Sequence, residues 1–184
     1  ESIVTWVQRG HEVFNALTEL PLPVIAWVEG YALGGGLELA LACDLILATD
    51  NAKLGQPEAK LGMVSGWGGS YRLPRRVGLT KAKEMFFTGR VLDARSAYDF
   101  GLVDFVGIRE AVQKYLDELF RLRQTAQRSM ACDALPLLIF HHPQNLHSLA
   151  VGPKALPLRV FPCILSCQSE SSLLLAQTRL LQGF

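Results

Sequence analysis

Residues 23–69 read PVIAWVEGYALGGGLELALACDLILATDNAKLGQPEAKLGMVSGWGG, and this stretch decides the fold. It begins with an apolar, partly β-branched run at residues 24–28, which is typical of a buried strand. The glycine cluster at residues 34–36 follows, and then residues 37–43, good helix formers with almost no polar face. Because a helix that is apolar all round is a buried helix, we expect this one in the core, with Glu38 inside it.

Two acidic residues in this stretch are candidates for chemistry. A buried carboxylate is unfavourable unless it is hydrogen-bonded or protonated, so Glu38 beside a glycine-rich turn indicates a functional site. Glu58 follows in the segment GQPE, residues 55–58. The structural alternatives are a buried ion pair for Glu38, which has no cation nearby in sequence, and an exposed loop carboxylate after Pro57 for Glu58.

Four segments of the chain resemble those of the crotonase, or enoyl-CoA hydratase/isomerase, superfamily. They are GYALGGGLELA at residues 30–40, Cys43-Asp44, GQPE at 55–58 and GWGG at 66–69. The likeness continues through residues 72–75, 88–90 and 101–103, and covers residues 1 to about 128. It implies an α/β fold of the ClpP/crotonase type, a spiral of short parallel strands wrapped by helices.

The resemblance also implies roles for individual residues. Gly35 supplies one backbone N–H to an oxyanion hole, Glu38 acts as a base towards water, Glu58 donates a proton to Cα, and the Gly66 N–H positions the same water. Substrate contacts are implied for four more residues: Leu33, Gly34, Pro57 and Trp67. A tight turn remains the alternative for the glycines, and packing remains the alternative for Trp67 and for Tyr71.

The reaction implied by the resemblance is the reversible hydration of a 2-trans-enoyl-CoA thioester, a lyase reaction in which coenzyme A is part of the substrate. No redox cofactor and no metal is implied. Glutamate at both positions favours a hydratase. The alternatives are an isomerase, an acyl-CoA hydrolase, or a truncated, inactive crotonase-like protein.

The first residue, Glu1, is not a methionine, and we expect an N-terminally truncated piece of the fold. In the family, a second oxyanion donor lies upstream of the segment that matches residues 2–19. Removing one such donor typically costs about 10²–10³ in rate. We therefore expect this polypeptide by itself to be weakly active or inactive.

Composition limits the class of protein and its partners. The 184 residues are 49% hydrophobic with a net charge of +1, which indicates a globular chain and gives no argument for nucleic acid or a membrane surface as a partner. Four cysteines predict reduced thiols in a reducing compartment, the cytoplasm, or a mitochondrion or peroxisome. The family resemblance implies an acyl-CoA thioester as substrate and a homo-oligomer, a trimer or hexamer.

Periodicity and capping residues predict most of the elements. Helices are expected at residues 2–19, 35–43, 81–87 (capped by Thr80), 94–100 (capped by Asp93) and about 111–122, and strands at 24–28, 45–48 and 102–106. Residues 1–128 form the predicted core. Residues 129–184 form a divergent segment to which no structure is assigned, apart from a leucine-rich, potentially helical piece at 171–181.

Several polar residues are given structural interpretations. Asp44 is expected to bind backbone beside a strand. A solvated face is predicted for six basic residues, with coenzyme A phosphates as the open alternative: Arg72, Arg75, Arg76, Lys81, Lys83 and Arg90. No metal site is predicted, because His141 and His142 lack acidic or cysteine partners at ligand spacing, and Cys163 and Cys167 lack the spacing of a zinc or redox pair.

Overall fold

The computed structural model describes residues 2–20, 22–130, 138–142 and 160–162, and their side chains up to Leu122. The helices are α1 (Ile3–Thr18), α2 (Gly35–Leu41), α3 (Gly69–Val77), α4 (Leu79–Thr88), α5 (Ala94–Asp99) and α6 (Arg109–Met130), with a 3₁₀ turn at Pro57–Leu61. The strands are β1 (Val24–Val28), β2 (Tyr31–Leu33), β3 (Leu45–Thr49), β4 (Lys53–Gly55), β5 (Val91–Asp93), β6 (Phe105–Gly107), β7 (Leu138–His142) and β8 (Val160–Pro162).

The described strands form two sheets. The larger has the order β6-β3-β1-β7-β8, and β1 pairs in parallel with β3 on one side and β7 on the other. The smaller has the order β2-β4-β5, with β2 parallel to β4. The β4–β5 and β7–β8 pairs are antiparallel. The predicted combination of short parallel strands and covering helices is therefore confirmed.

Strand β1 lies at the centre of the core, and all five of its residues are buried. Because successive side chains of a strand point to opposite faces, Ala26 packs on one side with Phe14 of α1, and Trp27 packs on the other with Leu116 of α6. Helices α1 and α6 thus cover opposite faces of the large sheet. The predicted amphipathic helices at both places are confirmed.

Two aspartates and one arginine hold the beginnings of the parallel strands. Asp44 Oδ2 accepts a hydrogen bond from the Val24 amide at 2.7 Å, and Asp104 Oδ2 accepts one from the Ile46 amide at 2.7 Å. Arg76 of α3 forms an ion pair with Asp104 and donates to the Asp44 carbonyl at 3.3 Å. The structural prediction for Asp44 is confirmed, whereas the solvated-face prediction is wrong for Arg76.

The boundaries differ from the predictions at a few places. Asp93 caps α5 as expected, since its side chain accepts from the Ser96 amide at 2.7 Å. Thr80 is not a cap, because α4 begins at Leu79, two residues before the predicted start at residue 81, with Gly78 as its N-cap. The predicted strand at residues 102–106 is observed at Phe105–Gly107.

The segment after Met130 contributes two strands that are not among the predicted elements. β7 pairs with β1 along all five of its residues, and β8 pairs with β7. The predicted helix at residues 171–181, and Cys163 and Cys167, lie outside the described residues. Among the described residues, none of the helices combines the length and the apolar composition of a membrane-spanning segment.

Candidate active site

The glycine corner, Gly34 to Gly36, joins β2 to α2 and lies beside the end of β4. Gly34 has a φ of +55°, which favours glycine, and its amide donates to the Gly55 carbonyl at 3.0 Å. The first hydrogen bond of α2 runs from the Glu38 amide to the Gly34 carbonyl, so the amides of Gly35 and Gly36 have no acceptor within the helix. This corner can therefore present backbone N–H groups to a ligand.

Glu38 lies on the buried side of α2 and is only 2% exposed. Its Oε1 accepts two hydrogen bonds from the loop before α3, from the Trp67 amide at 2.8 Å and the Gly69 amide at 2.7 Å. Both bonds end on the same oxygen, and no donor to Oε2 is found among the described residues. One oxygen of this buried carboxylate is fixed, and the other is left for a further partner.

Glu58 lies over the glycine corner. It belongs to the 3₁₀ turn that follows β4, and a Cβ atom placed on Gly34 would lie 3.2 Å from its Oε1. Burial raises the pKa of this half-buried carboxyl above its ordinary value of 4.5, and the nearby negative charge of Glu38 adds to the shift. Hydrogen bonds from backbone and from Ser65 oppose it. The two glutamates therefore share one site.

Gln56 and Ser65 fill the space between the two carboxylates. Gln56 is 1% exposed, and with its amide nitrogen towards Glu58 it donates to Oε1 at 2.6 Å and to Oε2 at 2.9 Å. In that orientation the nitrogen is also 3.2 Å from Ser65 Oγ. A Cβ atom on Gly69 would lie 2.7 Å from the Gln56 amide and 3.0 Å from Glu38 Oε1, so these groups are in close contact.

Trp67 contributes its backbone and its ring to different parts of this site. The indole is 7% exposed and packs against Trp6 and Phe14 of α1, with ring centroids 4.4 and 5.5 Å away. Its Cζ3 lies only 2.8 Å from where a Cβ of Gly35 would be. The packing interpretation describes this position, and the predicted contact with an acyl chain stays a prediction.

The other predicted residues lie around the same corner. Leu33 ends β2 directly before Gly34, and Pro57 begins the 3₁₀ turn that carries Glu58. Gly66 precedes Trp67 in the loop that binds Glu38, although the amides that reach the carboxylate belong to Trp67 and Gly69. The water-positioning role of Gly66 and the substrate contacts of Leu33, Gly34 and Pro57 stay predictions.

Arg72 is the clearest departure from the sequence interpretation. The sequence predicts a solvated face for it, but the residue is only 6% exposed and its Nη1 donates to the Trp67 carbonyl at 2.8 Å. Nη2 donates to Asn15 Oδ1 of α1 at 2.7 Å. The sequence did not indicate that Arg72 lies near Glu38, because the two residues are far apart in the chain and only the packing of α3 brings Arg72 to the site.

The sequence interpretation also left Gln56, Ser65 and Gly69 without roles. Gln56 and Gly69 are part of the segments that carry the family resemblance, which was the available signal. Among the described residues, no group of three or more histidine, cysteine or acidic residues could hold a metal ion. The side chains of His141 and His142 lie outside the described part, and the absence of a metal stays a prediction.

Comparisons with known proteins point to one family. A sequence profile described as "Enoyl-CoA hydratase/isomerase" matches residues 5–135. The chain is 48% identical over 101 residues to the mitochondrial methylglutaconyl-CoA hydratase of Mus musculus, covering 55% of this chain and 32% of that protein. It is 42% identical over 118 residues to "Enoyl-CoA isomerase/hydratase fer4" of Mycosarcoma maydis, covering 64% and 43%.

Solved structures give the same result. The crystal structure of enoyl-CoA hydratase from Bacillus anthracis is 40% identical, has a TM-score of 0.61, and matches over 64% of this chain and 45% of that one. The match thus spans between about a third and a half of the length of these three proteins.

Proposed function

The chain belongs to the enoyl-CoA hydratase/isomerase family, and we propose that the protein containing it catalyses the reversible hydration of 2-trans-enoyl-CoA thioesters. The observation that carries the proposal is the pair of glutamates beside the glycine corner, with Glu38 fixed by two amides and Glu58 over Gly34. Hydration needs two proton transfers on opposite ends of a double bond, and two carboxylates in different environments can divide them.

Glu38 is suited to act on the attacking water. With Oε1 held by the Trp67 and Gly69 amides, the remaining oxygen has a defined position from which to accept a proton. Holding a base in reactive geometry removes part of the entropic barrier to proton transfer. In this proposal Glu38 takes the proton of water as the oxygen bonds to Cβ of the thioester.

Glu58 is suited to deliver the other proton. Its raised pKa keeps the carboxyl protonated to higher pH than an exposed glutamate, so that it can donate to Cα. In the dehydration direction the same group removes the Cα proton. The half-buried position over Gly34 keeps Glu58 next to the place where the thioester carbonyl would lie.

The first turn of α2 supplies the electrostatic part of the proposal. As water adds to Cβ, negative charge develops on the thioester oxygen, and aligned backbone N–H groups stabilise it. The Gly35 amide is available for this purpose, because the first amide that donates a hydrogen bond within α2 is that of Glu38, to the Gly34 carbonyl. Proton transfer and oxyanion stabilisation complete the reaction without a redox cofactor or a metal.

The test is the hydration of crotonyl-CoA by the full-length gene product, followed as loss of the conjugated thioester absorbance. Glu38→Gln and Glu58→Gln are each expected to lower kcat by about 10²–10⁴, the usual contribution of a general acid or base. Glu12→Gln makes the same change at an exposed glutamate of α1 and serves as the matched control. Wild-type rates in both active-site variants would overturn the proposal.

An enoyl-CoA isomerase is the second candidate, because one relative is named as an isomerase and hydratase. Isomerisation moves one proton along the acyl chain of the substrate, and Glu58, over the glycine corner, can do this without Glu38. A 3-enoyl-CoA substrate separates the two candidates. If the wild-type protein isomerises the 3-enoyl-CoA much faster than it hydrates crotonyl-CoA, and Glu38→Gln leaves isomerisation unchanged, then the isomerase is the better description.

Partner and location follow as proposals from the same assignment. The substrate is an acyl-CoA thioester, and the trimer or hexamer is tested by sedimentation equilibrium of the full-length protein. A cytoplasmic, mitochondrial or peroxisomal site stays a prediction, and the mouse relative is named as mitochondrial. Calorimetry with an acyl-CoA tests the inactive alternative, for which neither binding nor turnover is expected.

A further inference from the structure

We propose that Arg72 and Asn15 form a clamp that holds the loop of residues 66–69 in the position where its amides bind Glu38, and that Arg72 is thereby a positioning residue for this carboxylate. The expected effect of Arg72 on kcat rests on the proposed role of Glu38. The expected effect of Arg72 on the position of the loop does not depend on any activity.

The loop is held from two sides. Towards α2, the Trp67 and Gly69 amides donate to Glu38 Oε1. From the other direction, the Arg72 guanidinium donates to the carbonyl of the same Trp67 at 2.8 Å. The Trp67 carbonyl belongs to the planar peptide unit that lies between the two units whose N–H groups bind Glu38, so holding this central unit leaves only the φ and ψ rotations of Trp67 and Gly68 to reorient the two amides.

The guanidinium lies directly against the loop backbone. Gly68 has a φ of +102°, and a Cβ atom there would be 2.2 Å from Arg72 Nη1. Glycine is thus required at this position both by conformation and by the space that Arg72 occupies. Burial lowers the pKa of Arg72, and the nearby Tyr71 and Glu38 act in the opposite direction.

Asn15 anchors the outer end of the clamp. Its Oδ1 accepts from Arg72 Nη2 at 2.7 Å and from the Tyr71 hydroxyl at 3.2 Å. Arginine presents two parallel donors in a rigid plane, so one guanidinium can bind Trp67 and Asn15 together, whereas a lysine ammonium has no such fork. Helix α1 is in this way connected to the carboxylate through α3 and the loop.

The first measurement is amide hydrogen exchange in the folded full-length protein. Arg72→Met is expected to accelerate exchange of the Trp67 and Gly69 amides by about tenfold or more, since local opening no longer breaks the guanidinium bond. Arg75→Met, on the exposed side of the same helix, is the matched control. Unchanged exchange at both amides in Arg72→Met would overturn the clamp, whether or not the protein is a hydratase.

The second measurement is steady-state hydration of crotonyl-CoA. Arg72→Met is expected to lower kcat by about 10²-fold with KM changed by less than about threefold, because misplacing the base affects the chemical step. Asn15→Asp keeps the acceptor and should retain near wild-type kcat, whereas Asn15→Leu should lose about threefold to tenfold. Equal kcat in Arg72→Met and wild type, or equal losses in both Asn15 variants, would contradict the positioning role.

A third variant covers the case in which Arg72→Met does not fold. Arg72→Lys keeps the buried charge without the fork, and faster exchange at Trp67 and Gly69 is again expected. If the wild-type protein shows no hydration while the exchange results hold, the proposed function fails and the clamp stands. If the wild-type protein hydrates crotonyl-CoA and Glu38→Gln loses this activity, but substitution of Arg72 changes neither the amide exchange nor kcat, then the clamp alone fails.

Discussion

Gly69 illustrates how little space the two carboxylates leave. A Cβ atom there would lie 2.7 Å from the Gln56 amide, 2.8 Å from Ser65 Oγ and 3.0 Å from Glu38 Oε1. At distances this short, an added Cβ atom would displace the side chains that contact the two glutamates. The absence of a side chain at this position is therefore a requirement of the site.

Gly69→Ala is the first residue-scale prediction. The added methyl group is expected to displace the polar groups around Glu38 and to lower kcat for hydration by about 10²-fold, the effect of a misplacement of about 1 Å. Ser70→Ala, on the next, exposed position, is the control and should keep wild-type kcat. Full activity in Gly69→Ala would mean that Glu38 need not be held by the loop.

Glu58 links the site to the pH dependence of stability. Its folded pKa lies above the ordinary value of 4.5, so between the two values the folded protein binds more protons than the unfolded one. The free energy of unfolding then falls as pH rises through this window, and the ionised group remains a cost above it. Glu58→Gln removes the charge and with it this part of the decline.

We therefore expect Glu58→Gln to be more stable than wild type at neutral pH and less active. Urea midpoints from about pH 4 to about pH 8 measure the first effect, and hydration measures the second. Glu12→Gln provides the comparison for an exposed carboxylate. A parallel pH dependence in Glu58→Gln and wild type would contradict the raised pKa.

Glu38 was predictable from its surroundings, because it interrupts an apolar helix beside a glycine-rich turn. Glu58 was identified only through the resemblance of the segment GQPE to the family, since a carboxylate after a proline is by itself better explained as an exposed loop residue. The contact between Arg72 and Asn15 was not predictable. Arg72 lies in a basic segment, Asn15 lies on an amphipathic helix, and the two residues are 57 positions apart in the chain. Only tertiary packing distinguishes Arg72 from its exposed neighbour Arg75.

At the scale of elements, α3 serves the site and the sheet at the same time. Arg72, towards its N-terminus, binds the Trp67 carbonyl, and Arg76, one turn later, pairs with Asp104 at the start of β6. Asp104 also accepts from the Ile46 amide of β3. Helix α3 therefore connects the glutamate site with the ends of two parallel strands.

Asp104→Ala tests this connection. The change removes the acceptor of the Ile46 amide and the ion-pair partner of the partly buried Arg76, which keeps only its hydrogen bonds to backbone carbonyls. We expect a loss of about 2–3 kcal/mol in the free energy of unfolding. Asp99→Ala removes an exposed ion pair with Arg95 and should cost less than about 0.5 kcal/mol. Urea unfolding of both variants shows whether the loss comes from the contacts of Asp104 at the beginnings of the strands, or whether removing an ion pair elsewhere costs as much.

The elements that sequence reasoning found are those with a long period or a clear boundary signal. β1 matches its prediction residue for residue, and α1 agrees to within one residue at each end. The small sheet was missed, because β2, β4 and β5 have three residues each, too few to show alternation. Thr80 failed as a cap because Gly78, which allows a φ of +84°, ends α3 and begins α4.

At the scale of the whole molecule, the boundary near residue 128 divides the sequence but not the large sheet. β1 lies between β3 and β7, and β7 comes from the segment that composition separates from the rest. Sequence reasoning missed this pairing because the partners are more than a hundred residues apart in the chain, and strand pairing at that distance leaves no local pattern.

A chain that ends after Met130 is the test of this arrangement. Without β7, the strand Val24–Val28 becomes a sheet edge with unpaired backbone groups and fully buried apolar side chains at its border. Such an edge is a site of association between chains. We expect the shortened chain to form soluble aggregates, seen by light scattering, and to lose at least about 2 kcal/mol of stability through the missing ladder. A monomer with the same urea midpoint as the 184-residue chain would show that residues 1–130 fold without the segment that carries β7.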